Sequence, residues 1–215
     1  MSTFVRLTRR DMALWCVSLG FGFAACFFLQ GLWGWGSAQL RTGDALCADT
    51  LRLHVRAVSD TVRDQTCKLA VRDSVLEMVD SYCPADNKAD TLYWAAQNLG
   101  HIQLTASRTL ARLGAAAPVQ VRLVNMYFDA AAYAGGCLPA GRYDALRIDL
   151  GGPEHYGRNW WCVLYPGLCR AACGGYVQPE ENDLVCGEYV LRFRLVDWWN
   201  QRTADRGDRV LLALE

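Results

Sequence analysis

The sequence predicts an α+β fold: an N-terminal signal or anchor helix, then a largely antiparallel sheet with two helices on one face. Three observations predict it. An uncharged apolar run from Met12 to Leu40 follows a basic start. Further on, short segments alternate apolar and polar residues with the period of strands, while two longer segments carry the three-and-four spacing of helices. The helical segments are grouped between one early strand and several later ones. Grouping of this kind favours an α+β layer fold over alternating α/β units.

The first element begins at Arg6, Arg9 and Arg10 and continues as an apolar stretch from Met12 to Trp35, followed by Gly36-Ser37-Ala38. That is the anatomy of an export signal or a membrane anchor. At ~1.5 Å per residue the stretch can span a hydrocarbon core of ~30 Å. The three arginines ahead of it favour a cytoplasmic N-terminus, which places the rest of the chain outside. Small residues at Gly36 and Ala38 suit cleavage after Ala38, and the uncut segment suits an anchor; the residues fit both. Thr8-Arg9-Arg10 fits a twin-arginine signal as well as a plain basic leader, and Phe23-Ala24-Ala25-Cys26 is a faint lipoprotein-like site.

Residues 39–50 read as a short polar lead. A strand follows, with Leu51, Leu53 and Val55 alternating with Arg52, His54 and Arg56. Ser59-Asp60-Thr61 supplies a turn and a helix cap. The first helix carries Cys67, Val71, Val75, Met78 and Tyr82 at helical spacing and stops at Cys83-Pro84. The second is one continuous stripe of Leu92, Ala96, Leu99, Ile102, Ala106, Leu110 and Leu113, closed by Gly114 and Pro118. Strands then return at Val119–Leu123, Leu146–Leu150, Asn159–Tyr165 and in GEYVLRFRLVDWW near the C-terminus.

Lys+Arg and Asp+Glu are both 22 in 215 residues. Without residues 1–38 the balance is 19 basic to 21 acidic, which offers no clustered basic face for nucleic acid. Export changes the reading of the cysteines. Eight follow the leader: Cys47, Cys67, Cys83, Cys137, Cys162, Cys169, Cys173 and Cys186. Outside the cytoplasm thiols tend to oxidise, so a disulfide-containing body is expected. The loop between Cys162 and Cys169 carries Pro166-Gly167 and can bring two Cα atoms within ~6 Å, which makes this pair the expected bridge.

Catalytic and cofactor chemistry has little to stand on. His54 on a polar strand phase and His101 beside the helix stripe read as surface or capping residues. His155 precedes Cys162 by seven positions in a glycine-rich loop without a recognisable oxyanion hole. Cys169-x₃-Cys173 has no second ligand pair for zinc, and no glycine-rich phosphate loop opens a helix. No catalytic, cofactor-binding or metal-ligating residue is therefore assigned, and no cofactor is expected. In the Trp160-Trp161 pair, adjacent side chains on a strand point to opposite faces. One reading packs both in the core; the other makes one an anchor for a partner.

Three segments, LRLHVRAVSDTVRDQTCKLAVRDSVLEMV, LPAGRYDALRIDLGG and NWWCVLYPGLC, carry a resemblance. Within them stand Arg52-Leu53-His54-Val55, Ser59-Asp60, Lys68-Leu69, Val71-Arg72-Asp73, Leu138-Pro139-Ala140-Gly141 with Tyr143, Ala145-Leu146-Arg147 and the Trp-Trp-Cys loop. From about Leu51 to Cys169 the chain resembles stage II sporulation protein R of endospore-forming bacteria. The resemblance implies a signalling protein exported from the forespore into the space between two membranes. There it activates a membrane-embedded aspartic protease of the mother cell, which processes a pro-sigma factor. The implied protein is the activating ligand and not an enzyme. Residues 119–136 match poorly, and residues 170–215 extend past the resemblance and add Cys173 and Cys186. Cys47, Cys67, Cys83 and Cys137 are likewise additional to the pattern.

The expected organisation is a signal peptide or membrane anchor over 1–38, a family-like domain over 39–169 and a cysteine-containing extension over 170–215. Residues 12–35 hold the membrane if uncleaved, and the protein is secreted or membrane-anchored. The family pattern does not assign contact residues. The surface candidates for the protease are Asn159, Trp160, Trp161, Tyr165 and Pro166, with His54, Asp60, Arg72 and Asp73 behind them. Arg72 and Asp73 also fit a structural ion pair. The rival classes are an extracytoplasmic enzyme, either a thiol-disulfide oxidoreductase or a wall hydrolase, and a cell-surface binding module.

Overall fold

The computed structural model describes residues 8–83, 87–133, 136–152, 157–166, 202, 205 and 207–214. The chain divides into two compact units, Met1–Thr42 and Gly43–Glu215. The expected strand in GEYVLRFRLVDWW lies outside the described residues.

Helix α1 (Arg9–Asp49) fills the described part of the first unit and continues into the second. Its start is capped: the Thr8 backbone N–H donates to Asp11 Oδ2 at 2.9 Å, and the Asp11 N–H returns a bond to Thr8 Oγ1 at 3.3 Å. Its large apolar side chains from Met12 to Trp33 are exposed. By length and composition the helix can cross a membrane. It does not stop at the polar lead expected over 39–50. Leu46 and Cys47 are buried in the core of the second unit, and Thr50 Oγ1 donates to the Leu46 carbonyl at 2.6 Å.

The second unit continues with β1 (Leu51–Arg56), α2 (Val62–Tyr82), α3 (Lys88–Gln97), α4 (Leu99–Arg112) and β2 (Val119–Phe128). A small hairpin of β3 (Ala131–Tyr133) and β4 (Gly136–Leu138) leads to β5 (Gly141–Leu150), β6 (Asn159–Tyr165) and β7 (Arg209–Ala213). The main sheet runs in the order β6-β1-β5-β2-β7. It is mixed: β1 and β5 are parallel, while β1–β6, β2–β5 and β2–β7 are antiparallel. The α+β class and the N-terminal apolar helix are thus present.

The helix layer differs from expectation. Thr61 caps α2 by accepting from the Asp64 N–H, as the turn residues suggest. The long stripe from Leu92 to Leu113, however, is two helices rather than one. The chain leaves helical geometry at Asn98 (φ −111°, ψ 12°), whose side-chain amide donates to the Trp94 carbonyl at 2.8 Å. That local bond competes with the helix ladder. Apolar periodicity survives the break, so the sequence pattern did not mark it. Three helices rather than two therefore feed one core: Val71, Val75 and Val79 from α2, Ala95 from α3, and Leu99, Ile102, Ala106 and Leu110 from α4. They meet Leu51, Leu53 and Val55 of β1, Val121 and Leu123 of β2, and Leu146, Ile148 and Leu150 of β5.

Candidate functional site

The alternate residues of β1 face the other side of the sheet, and two of the three are buried as well. Arg52 is fully buried and His54 is 3% exposed. The Arg52 guanidinium carbon sits 3.9 Å from the Phe128 ring centre, 4.9 Å from Trp161 and 5.0 Å from Tyr143. Phe128 and Tyr143 themselves meet edge-to-face at 5.9 Å. An arginine dried among aromatic faces keeps its charge and gains cation–π attraction. The Tyr143 hydroxyl donates to the Pro139 carbonyl at 2.6 Å, fixing one wall of this cage.

Beside it lies an ion cluster centred on Asp149, whose side chain is fully buried. Arg147 Nε reaches it at 2.9 Å and Arg56 Nε at 3.4 Å, with Arg122 as a third partner. Arg147 also pairs with Asp208, just ahead of β7. Burial pushes the His54 imidazole down to about 3, and the Arg147 charge pushes the same way against the pull of Asp149. His54 is therefore neutral at physiological pH. Burial raises the Cys47 thiol to about 11 and moves the Cys83 thiol upward too. Neither thiol supplies a thiolate at neutral pH. Among the described residues no group of three His, Cys, Asp or Glu is placed to hold a metal ion.

The second assembly joins the β1–α2 turn to the entry of β6. The Arg158 N–H donates to Asp60 Oδ1 at 2.6 Å, and the Gly157 N–H donates to the Ala57 carbonyl at 3.0 Å. Lys68 Nζ donates to the Arg158 carbonyl at 3.0 Å and to Gln65 Oε1 at 2.6 Å. One turn further along α2, the Arg72 guanidinium carbon lies 4.9 Å from the Trp160 ring centre. Arg72 also pairs with Asp73 at 2.7 Å. Exposed Asn159 is between the two contacts.

The nine surface candidates therefore separate. Asp60, Arg72, Asp73, Asn159 and Trp160 gather on one rim, where Asp60 and Asp73 are exposed and Arg72 and Trp160 are partly covered. Trp161 points to the opposite face and stands opposite His54 in the β1–β6 register. His54, Tyr165 and Pro166 are buried, not surface residues. Their burial comes from packing on both faces of the sheet, which a strand period alone does not reveal. His101 is exposed, with Nδ1 3.2 Å from Asn98 Oδ1. The residues missed from sequence are Gln65, Lys68, Gly157 and Arg158 on the rim and the Asp149 cluster beneath the sheet. Lys68 already stood in the motif Lys68-Leu69, but a lysine on an amphipathic helix reads as solvated.

The expectation of a disulfide-containing body is corrected for Cys47, Cys67 and Cys83. No disulfide joins two described residues, and Cys47, Cys67 and Cys83 are free thiols. Cys67 packs in the helix-side core and Cys47 in the cluster on the opposite face, so the sheet keeps them apart. Cys162 is disulfide-bonded, and Cys169, its expected partner, lies outside the described residues. Cys173 and Cys186 lie outside them too, as does His155.

The class defined by these features is an α+β body behind an apolar N-terminal helix, built on buried structural charges. The chain belongs to the stage II sporulation protein R family: the family model matches residues 47–174. It is 32% identical over 120 residues to stage II sporulation protein R of Bacillus subtilis (strain 168), covering 55% of this chain and 53% of that protein. The chain thus spans about half the length of the curated relative it matches. No solved structure matches it.

Proposed function

We propose that this chain is an exported signal of endospore formation, which activates a membrane-embedded aspartic protease of the mother cell and thereby the processing of a pro-sigma factor. The observation that carries the reading is family membership over residues 47–174, directly behind an apolar helix preceded by arginines. In this reading residues 1–38 deliver or anchor the protein, residues 39–169 bind the protease, and residues 170–215 are an extension of the body. The protein works in the space between forespore and mother cell, secreted or held by residues 12–35, and acts as a ligand without chemistry of its own.

The docking surface is the rim of Asn159, Trp160, Arg72, Asp73 and Asp60. Trp160 is partly exposed and held in place by Arg72, a pre-organised aromatic anchor of the kind that dominates interfaces. A ligand activates only by binding the active arrangement of its partner better than the inactive one. The test is co-expression of the full chain with the protease and its pro-sigma substrate. Processing requires the chain, and falls at least tenfold with Trp160→Ala or Asp73→Lys at unchanged chain level and circular dichroism. Full processing with both variants removes the rim as the docking surface; processing without the chain removes the activator role.

A further inference from the structure

Strand β6 enters the sheet at Asn159, opposite Arg56 of β1, and Arg158 stands one residue outside that ladder. Two side chains hold its main chain there. Asp60 Oδ1 accepts the Arg158 N–H at 2.6 Å, and Lys68 Nζ donates to the Arg158 carbonyl at 3.0 Å. Gln65 closes the ring: its Oε1 accepts from Lys68 Nζ at 2.6 Å, and its Nε2 donates to Asp60 Oδ1 at 3.4 Å. Both polar main-chain groups of one residue are thus fixed, one from a turn and one from a helix.

Helix α2 grips the same strand a second time. Arg72, four residues after Lys68, lies against the Trp160 ring, two residues after Arg158. Four helix residues advance ~6 Å and two strand residues ~6.6 Å. The helix and the strand entry therefore stay in step. Lys68 fixes the main chain ahead of the tryptophan, and Arg72 fixes its ring.

Lysine is a costly residue at this position. Lys68 is 5% exposed, and lysines are almost never so buried unless paired. Both of its bonds go to neutral oxygens, and among the described residues no carboxylate forms an ion pair with it. Burial moves its ammonium below the ordinary lysine range; Asp60 pulls it back, and the Arg72 and Arg158 charges add to the fall. An apolar side chain of similar length would sit here at lower cost. It would not donate a directed bond to a main-chain carbonyl.

On the reading that the rim is the docking surface, we propose that Lys68 is a positioning residue of this signal. With Asp60 it fixes the Arg158 peptide groups, so that Trp160 is presented in one orientation before the protease is met. Buried as it is, Lys68 acts through the tryptophan and not by touching the partner. A side chain ordered in advance loses less freedom on binding.

The experiment uses the full chain labelled with fluorotryptophan in detergent micelles. Fluorine NMR identifies the Trp160 line as the one missing from Trp160→Phe. Lys68→Met keeps a long side chain and removes the donor. It is expected to shift and broaden the Trp160 line at unchanged circular dichroism. In co-expression with the protease and its pro-sigma substrate it cuts processing by about three- to tenfold. Added to Trp160→Ala it brings no further loss, because both changes act through one side chain. A purely structural role would lower processing in either background. If Lys68→Met does not fold, Asp60→Ala opens the other side of the clamp at an exposed position, and its Trp160 line is read instead. An unmoved Trp160 line overturns the proposal, and so does a full further loss on top of Trp160→Ala. Full processing with Trp160→Ala fails the docking reading instead, and the fluorine line alone then decides whether Lys68 positions the tryptophan.

Discussion

The guanidinium carbon of Arg52 lies 3.9 Å from the centre of the Phe128 ring, at a position with no solvent exposure. Trp161 and Tyr143 complete the cage. Lysine at this position keeps the charge but loses the planar face that stacks on three rings, and its compact ammonium is more strongly hydrated. Arg52→Lys is expected to destabilise the fold by about 1–3 kcal/mol, read as a shift in the denaturant midpoint. An unchanged midpoint rules out the cage as a stabilising element.

His54 makes stability depend on pH. Its folded value of about 3 lies below the unfolded value of roughly 6.5. Between those two pH values the unfolded chain holds a proton that the fold does not. Stability contributed by neutral His54 is thus complete above the unfolded value and falls as the solution is acidified through that window. Arg147 on β5 and Arg52 and Arg56 on β1 oppose the charged ring, and Asp149 only partly offsets them. From pH 7 to pH 5 the wild type should lose about 2 kcal/mol more than His54→Gln. Equal losses in chemical denaturation would show that the imidazole does not carry this dependence.

Gly157 closes the rim. A Cβ built there would lie 2.1 Å from the Ser59 carbonyl oxygen and 2.9 Å from the Asp60 backbone nitrogen. Both are main-chain atoms, so relief requires moving the β1–α2 turn and stretching the Asp60–Arg158 bond. Gly157→Ala is expected to cost about 1–3 kcal/mol in thermal or chemical unfolding. A variant as stable as the wild type would mean that the turn and the β6 entry are not clasped this closely.

The buried thiols should resist alkylation. Cys47 and Cys67 are 8% and 5% exposed, and Cys47 is held at about 11. Iodoacetamide at neutral pH is expected to label both only after denaturation, with Cys83, half-buried and also shifted upward, reacting slowly in the native protein. Peptide mass mapping reads the pattern. Rapid native labelling of Cys47 would contradict its place in the core.

Some of this was legible in the residues. The Leu51, Leu53 and Val55 phase of β1 does face the helices, and strand periodicity alone sends Trp160 and Trp161 to opposite faces. Periodicity also found the helix stripe, though not its break at Asn98, where a side-chain bond acts without disturbing the apolar pattern. What periodicity cannot express is whether a polar phase meets water. Arg52, His54, Arg147 and Asp149 read as an outer face, yet all four are buried in a second layer, where Arg147 pairs with Asp149 and Arg52 lies among aromatic rings. Their partners come from β2, β5 and the residue ahead of β7, separations that no local window contains. Cys47, Cys67 and Cys83 stay reduced for a related reason: compartment argues for oxidation, but pairing requires proximity. β7 gave no expectation, since five residues of a short apolar tail carry no distinctive period.

The phase of β1 has a hereditary consequence. Its arginines and histidine all lie on one side and its leucines and valine on the other. A single-residue deletion inside it would send every downstream side chain of the strand to the wrong side, driving guanidinium groups against valines of α2. Descendants of this gene can vary their turns in length, but an in-frame loss or gain of one codon between Leu51 and Arg56 should be lethal to folding.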